Sequence, residues 1–243
     1  MALIGTNRGV SSNGTGALTV VITPGANFTA GSFAVLALSY DNSGSGGSDP
    51  YVSITDSVGN VWTSRANVLN DPGAANAGSV LRIFTSTITT LTTGNTITVT
   101  FGSSTTNKTW SLTEFTSNTP GGTPAFLLSA TAAGSNTTPT ITSSSITSGD
   151  VIFGAMGNEG NATVTADSDT TNGTWSTQQT TSVGTGTGGM EVASQYKITT
   201  GTGAQTYNLT LSATGDWSIG WISITEIVAT SFDPFGMLGF FGM

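Results

Sequence analysis

The sequence predicts an all-β protein of the antiparallel β-sandwich or jelly-roll type, internally duplicated, with about seven strands in each copy. Three observations support this prediction. Thr, Val, Ile and aromatic residues, which fit a pleated surface, are frequent throughout the chain. Short alternating apolar segments recur between Gly, Asn and Pro turn signals. Four blocks of the first half recur in the same order in the second half.

The charge balance and the missing residue types exclude several function classes. The 243 residues include 5 Lys and Arg against 13 Asp and Glu, so the net charge of −8 disfavours binding to nucleic-acid phosphates. The chain contains no His and no Cys. Ser-His-Asp and Cys-His catalysis, His or Cys metal sites and disulfides are therefore excluded. We expect a protein that is not an enzyme and has no cofactor.

The first copy, residues 14–118, follows a pattern of strands and tight turns. Thr96–Phe101 alternates strictly, which indicates a strand with one buried and one solvated face. Pairs such as Pro24-Gly25 and Gly59-Asn60 mark turns between strands. The predicted strands are 17–23, 33–40, 51–56, 61–69, 79–88, 95–102 and 108–116.

The second copy, residues 138–229, is predicted from its similarity to the first. Residues 87–101 align with 197–211, which places Ile88 on Ile198, and 29–39 align with 147–157. The other two matches place Asp56 on Asp169, Trp62 on Trp175 and Glu114 on Glu226. The predicted strands are 138–146, 150–157, 162–167, 174–181, 189–199, 205–212 and 217–228.

Three segments fall outside the two copies. Residues 1–13 are predicted as an N-terminal arm and 119–137 as a connector, although its apolar island Phe126–Leu128 could form an extra strand. Residues 230–243 are an apolar C-terminal arm. The copies could form two separate sandwiches or close into one larger one. We expect no secretory leader and no membrane span, because no apolar run has the required length.

Three strings of the repeat carry a family resemblance. They are D-S-x-G-N-x-W-T at 56–63, T-x-T-V-T-F at 96–101, and the closing x-x-T-E-F/I strand that ends at Phe115 and at Ile227. Over residues about 14–228 the chain resembles β-sandwich modules of phage virion proteins, such as minor capsid, decoration and fibre proteins, and of some bacterial surface proteins. The resemblance implies a structural role.

Two groups of acidic residues are candidate sites, each with a simpler interpretation. Glu114 and Glu226 could form a glycosidase carboxylate pair, or could be strand-end glutamates that the duplication copied. The oxygen-rich loops could bind calcium, or could use their Asx side chains to form turns. The residues of these loops are Asp41, Asp49, Asp56 and Asn60, and then Asp167, Asp169 and Asn172.

The tryptophans also allow two interpretations. Exposed indole rings could form a platform for a glycan, whereas buried ones would belong to the cores of the sandwiches. Trp62 and Trp175 recur in both copies, and Trp217 and Trp221 share strand phase with Ile219, so we expect a core role for these four. The fifth tryptophan is Trp110.

The C-terminal arm is the candidate partner-binding segment. Seven large apolar residues alternate there with glycines, and left in water they would promote aggregation. They are Phe232, Phe235, Met237, Leu238, Phe240, Phe241 and Met243. We expect a structural virion protein, a capsid, decoration, spike or tail component assembled in the host cytoplasm, whose partners are its own copies or other virion proteins. The alternatives are an adhesin or carbohydrate-binding module at a cell surface, and an extracellular filament subunit.

Overall fold

The protein is an all-β chain of antiparallel sheets. A computed structural model describes residues 3–41, 48–73, 78–160 and 162–228. The strands of the first half are β1 Leu3–Asn13, β2 Ala17–Ile22, β3 Phe33–Asp41, β4 Tyr51–Asp56, β5 Thr63–Asn70, β6 Ser79–Thr87, β7 Ile97–Thr105 and β8 Lys108–Ser117. Those of the second half are β9 Gly122–Gly134, β10 Thr140–Ile146, β11 Val151–Glu159, β12 Val164–Thr165, β13 Gln179–Val183, β14 Met190–Ile198, β15 Gly203–Asn208, β16 Thr210–Leu211 and β17 Trp217–Val228.

The two halves have the same strand order. In the first half, inner sheet 1 has the order β1-β8-β3-β6-β5 and outer sheet 1 the order β2-β7-β4. In the second half, inner sheet 2 has the order β9-β17-β11-β14-β13. Outer sheet 2 consists of the pairs β10-β15 and β12-β16. The chain therefore builds one sandwich twice, each with a five-stranded inner sheet.

Equivalent turns and hydrogen bonds fix how the halves correspond. Gly31 and Gly149 occupy the same turn before β3 and β11, with φ of 82° and 95°, where glycine is favoured. Ile88 N donates to Ser32 O, and Thr199 N donates to Asp150 O. Ile88 thus corresponds to Thr199, and the predicted match to Ile198 is wrong by one residue. A one-residue slip also exchanges the two faces of a strand, and Ile198 is only half-buried.

The two sandwiches pack back to back through their inner sheets. We call this interface the seam. Strand β3 lies over β11, β1 over β13 and β5 over β9. Because β3 corresponds to β11, this arrangement has the strand pattern of a twofold-symmetric pair within one chain. The open question between two sandwiches and one merged sandwich is thereby answered: there are two, stacked in four layers.

Three apolar cores follow from the four layers. The first lies between outer sheet 1 and inner sheet 1, and the third between inner sheet 2 and outer sheet 2. The second core fills the seam, with Phe33, Val35 and Phe115 on one side and Phe153 and Ile222 on the other. Every residue of β3 and of β11 is buried, because both faces of each inner sheet are covered. This explains why these two strands contain few polar residues.

The structure changes the prediction for two segments. The residues predicted as an N-terminal arm contribute β1, which pairs with β8 from Leu3 to Asn13. The predicted connector contributes β9, which pairs with β17 from Gly122 to Gly134. Each is the edge strand of an inner sheet. Their periodicity is weak because β1 contains a β-bulge and both strands leave many side chains accessible to solvent.

Close packing and paired hydroxyl groups hold the seam together. The Phe115 and Phe153 rings meet edge to face at a centroid distance of 6.4 Å. Tyr196 lies against Gly5 and donates its hydroxyl proton to the Gly5 carbonyl at 2.7 Å. Buried serine hydroxyls also pair across the seam, Ser111 with Ser194 at 2.7 Å and Ser79 with Ser218 at 2.9 Å. The polar groups in these contacts are therefore satisfied despite their burial.

Gly157→Ala should destabilise the protein by about 1–3 kcal/mol, because overpacking a close-packed interior forces neighbouring groups apart. A Cβ atom at Gly157 would collide with Ser39 Oγ across the seam and would lie 3.0 Å from Ser39 Cβ. Gly102→Ala is the matched control, since its Cβ would meet Val52 Cγ2 at an ordinary 3.5 Å. Urea denaturation of both variants measures the difference. Equal stability of the two variants would contradict this packing of the seam.

Candidate functional site

The predicted partner-binding segment lies outside the described residues. Its seven apolar side chains, Phe232, Phe235, Met237, Leu238, Phe240, Phe241 and Met243, belong to 229–243, which follow the last described residue, Val228. The residue that precedes this segment is described: Val228 ends β17 in an antiparallel pair with Gly122 of β9.

Large apolar side chains are exposed close to this end of β17. Leu127 and Leu128 of β9 are 46% and 41% exposed, and Ile227 of β17 is 55% exposed. A β-bulge at this point of the β17–β9 pairing displaces Leu127 from the ladder. Leu127 and Glu226 line a groove of about 190 Å³ against the turn 147–150. We call Leu127, Leu128 and Ile227 the exit patch.

The predicted correspondence of Glu114 and Glu226 is wrong. Phe115 pairs with Phe33, whereas Ile224 pairs with Val151, so the residue that corresponds to Glu114 is Ser223. Alternation along each strand places Glu114 on the face that contacts outer sheet 1 and Glu226 on the seam face. A carboxylate pair inherited from the duplication therefore does not exist.

Each glutamate instead has a local structural partner. Glu114 is 1% exposed and forms an ion pair with Arg8, whose Nε donates to Glu114 Oε2 at 2.7 Å. Glu114 Oε1 also accepts from the Thr29 amide at 2.6 Å. Glu226 accepts a hydrogen bond from Ser117 Oγ, which holds the pKa of Glu226 below its usual value. Both carboxylates join neighbouring segments of the fold.

The acidic loops use their carboxylates to form turns. Asp56 Oδ1 accepts from the amides of Gly59 and Asn60 at 2.6 and 2.9 Å, and Oδ2 accepts from Trp62 Nε1 at 3.0 Å. In the second half, Asp167 accepts from the amides of Asp169 and Asn208. Within the described ranges, no three acidic side chains converge in a metal-binding arrangement. These contacts agree with the Asx-turn interpretation.

All five tryptophans are buried, with exposed fractions between 2% and 9%. Trp62 and Trp110 belong to the first core, and Trp175, Trp217 and Trp221 belong to the third. The predicted core role of Trp62, Trp175, Trp217 and Trp221 is confirmed. A sugar-stacking platform needs an accessible aromatic face, so none of these five indole rings supplies one.

Every basic side chain of the chain has a structural partner. Arg8 pairs with Glu114, Arg82 with Asp49, and Lys197 with Asp169. Arg65 lies over the Phe126 ring at 4.4 Å and donates to Thr85 Oγ1. Lys108 is fully buried, and its Nζ donates to the carbonyls of Thr15 and Thr106 at 2.8 and 3.1 Å. Burial lowers the pKa of Lys108 to about 8.

A cluster of carboxyl groups at one end of the seam was missed by the sequence analysis. Glu159 N donates to Asp216 O at 2.8 Å, so Glu159, at the end of β11, lies opposite Asp216, which immediately precedes β17. Asp41, at the end of β3, approaches them from inner sheet 1 and acts electrostatically on Glu159. We call these three residues the seam-end cluster. They lie far apart in the sequence, and only the packing of β3 against β11 brings them together.

Comparison of the chain with protein-family models, with curated proteins and with solved structures finds no match in any of the three. Among the described residues, no helix has the length and apolar character needed to cross a membrane.

Arg8→Met should cost about 3–5 kcal/mol of stability, because removal of one partner leaves the buried Glu114 carboxylate without its counter-charge. Arg65→Met is the matched control, since it removes a cation–π contact and no ion pair, and should cost about 1 kcal/mol or less. Thermal and urea denaturation measure both. A loss for Arg8→Met no greater than that for Arg65→Met would contradict a structural role of the pair.

Proposed function

We propose that this protein is a structural subunit of a virion, a capsid, decoration, spike or tail component, that assembles with its own copies or with other virion proteins. The contact that joins the subunits is made by the apolar segment 230–243. Assembly of a virion component in the host cytoplasm needs no cofactor and no catalytic group. The main support is the apolar C-terminal sequence, which follows closely on the exposed Ile227 and Val228.

The body of the protein suits a load-bearing subunit. Two sandwiches share the seam core, so the inner sheets are buried on both faces. The outer layers present polar strands, for example Thr140 and Thr142 opposite Asn208 and Thr206. A body of this kind offers rigid surfaces for repeated contacts between identical subunits.

The exit patch supports association through apolar burial. Leu127 and Leu128 of β9 are exposed, and so is Ile227 near the end of β17, which precedes the apolar segment 230–243. The basic side chains already have partners within the chain, so charge pairing offers little for subunit contacts. Apolar contact and strand-edge pairing along β9 are then the available sources of binding energy.

Deletion of residues 232–243 should abolish assembly and leave the body folded. The deletion removes all seven apolar residues of the arm and leaves the four-layer body intact. Analytical ultracentrifugation and electron microscopy should show a full-length assembly and a truncated monomer with an unchanged melting temperature.

The matched control keeps the length of the chain. Replacement of Phe232, Phe235, Phe240 and Phe241 by serine should have the same effect as the deletion, because the arm acts through apolar side chains. Normal assembly of both variants would refute the role of the arm. A full-length chain that stays monomeric under the same conditions would refute the assembly function itself.

A further inference from the structure

The three carboxyl groups of the seam-end cluster have no Lys or Arg side chain as a counter-charge. Glu159 and Asp41 are only 7% and 5% exposed, and Asp216, which immediately precedes β17, lies opposite Glu159. Like charges directly opposite each other on neighbouring strands destabilise a sheet. The five Lys and Arg side chains all have partners elsewhere in the structure. None of them neutralises this cluster.

The hydrogen bonds of the cluster show which groups are satisfied. Glu159 Oε2 accepts from the Gly78 amide of the first half at 2.6 Å, and Asp216 accepts from Ser135 Oγ. Glu159 Oε1 and Asp41 Oδ1 are buried and receive no hydrogen bond. Asp216 lies close enough to Glu159 for its charge to raise the pKa of Glu159. A buried carboxyl group beside other acidic groups favours its protonated form, unless a cation binds there.

We propose that the seam-end cluster is a pH-sensitive contact between the two sandwiches: it is closed while Glu159 is protonated, and it loosens when Glu159 ionises. The proton removes one of the two facing charges. Ionisation places Glu159, Asp216 and Asp41 against one another at the edge of a buried interface. The cost of burying the Glu159 charge, together with the repulsion among these three groups, then acts to separate the end of β3 from the ends of β11 and β17.

The other groups near this point do not change the sign of the effect. Ser79 Oγ donates to Ser218 Oγ and leaves no donor for Glu159. Glu191 of β14 lies on the opposite face of inner sheet 2, where Thr180 Oγ1 donates to it at 2.8 Å. Electrostatic interactions with Asp216 and Asp41 act on Glu159 in the same direction, since both are acidic. The hydrogen bond from the Gly78 amide acts in the opposite direction and more strongly than the charge of either acidic neighbour, but burial outweighs it, so the pKa of Glu159 stays raised.

The direction of the pH dependence follows from burial. Desolvation raises the pKa of Glu159 from 4.5 to about 7 and that of Asp41 from 3.8 to about 6. For each residue, at a pH between its ordinary pKa and its raised pKa, the native state binds more protons than the unfolded chain. The stability of the protein therefore falls as the pH rises through this range. The contribution of the cluster is therefore fully present near pH 4 and is lost once the pH exceeds about 7.

Glu159→Gln tests the proposal in the full-length protein. Glutamine has the shape of the protonated acid and cannot ionise. The variant should match the wild type at pH 5 and melt at least about 2 °C higher than the wild type at pH 8. Hydrogen exchange of the amides of Glu159 and Trp217 should be faster in the wild type than in the variant at pH 8, and equal at pH 5.

Glu226→Gln is the matched control. The pKa of Glu226 is lowered, so neutralising this residue removes a favourable interaction at pH 8 and should not raise the melting temperature. If Glu159→Gln fails to fold, Asp216→Asn serves as the second variant, with the same expected gain at pH 8. An unchanged or lower melting temperature of both variants at pH 8 would overturn the proposal.

Calcium distinguishes a proton from a bound cation. Calcium chloride at millimolar concentration is added to the wild type and to Glu159→Gln at pH 8, and calorimetry and melting temperature are measured. No effect supports a proton-controlled contact. Saturable calcium binding that stabilises the wild type and is absent from the variant would overturn it in favour of a cation site. The assembly state is measured separately, so the failure of one proposal is not confused with that of the other.

Discussion

The structure depends on burial of both faces of its two five-stranded inner sheets. A sandwich normally covers only one face of each sheet, and the other face remains in water. Here the outward faces carry Phe33, Val35, Phe115 and Phe153, which are almost completely buried in the seam. Exposure of this surface by a separated sandwich would cost roughly 25 cal/mol per Å² of apolar area. The two halves therefore stabilise each other.

Burial on this scale constrains every polar group near the seam. Several hydroxyl groups pair with each other or with backbone carbonyls, as in Ser111 with Ser194 and Tyr196 with Gly5. Ser39 Oγ, which lies against Gly157, is buried without a hydrogen-bond partner. Each of the few basic residues already has a partner within the fold; Arg8, for example, pairs with the buried Glu114. A chain with so few basic residues cannot also neutralise the acidic end of the seam. As a result of the low content of Lys and Arg, the carboxyl groups of the seam-end cluster have no counter-charge.

The two halves share a strand order but differ in their polar contacts. The buried Arg8–Glu114 pair of the first half has no counterpart in the second, where Ser223 occupies the position that corresponds to Glu114. The outer sheet is continuous in the first half and consists of two pairs in the second. A repeated fold thus tolerates changes in side-chain chemistry as long as the seam faces remain apolar. The surfaces available for assembly differ between the halves for the same reason.

The sequence by itself determined most of the repeat strands and turns and the core role of four tryptophans, because alternation, Gly and Asn turns and burial of large rings are local properties. It placed the strand 174–181 too early, since β13 is Gln179–Val183, and it merged β15 and β16 into the single strand 205–212. It did not determine β1 and β9, whose exposed side chains and bulges weaken the pattern. It also paired Glu114 with Glu226, because residue similarity does not report which face a strand buries. The seam-end cluster joins Asp41, Glu159 and Asp216 across two sandwiches. Only the packing of the inner sheets decides such a contact, since side-chain proximity over these distances in sequence depends on register and stacking.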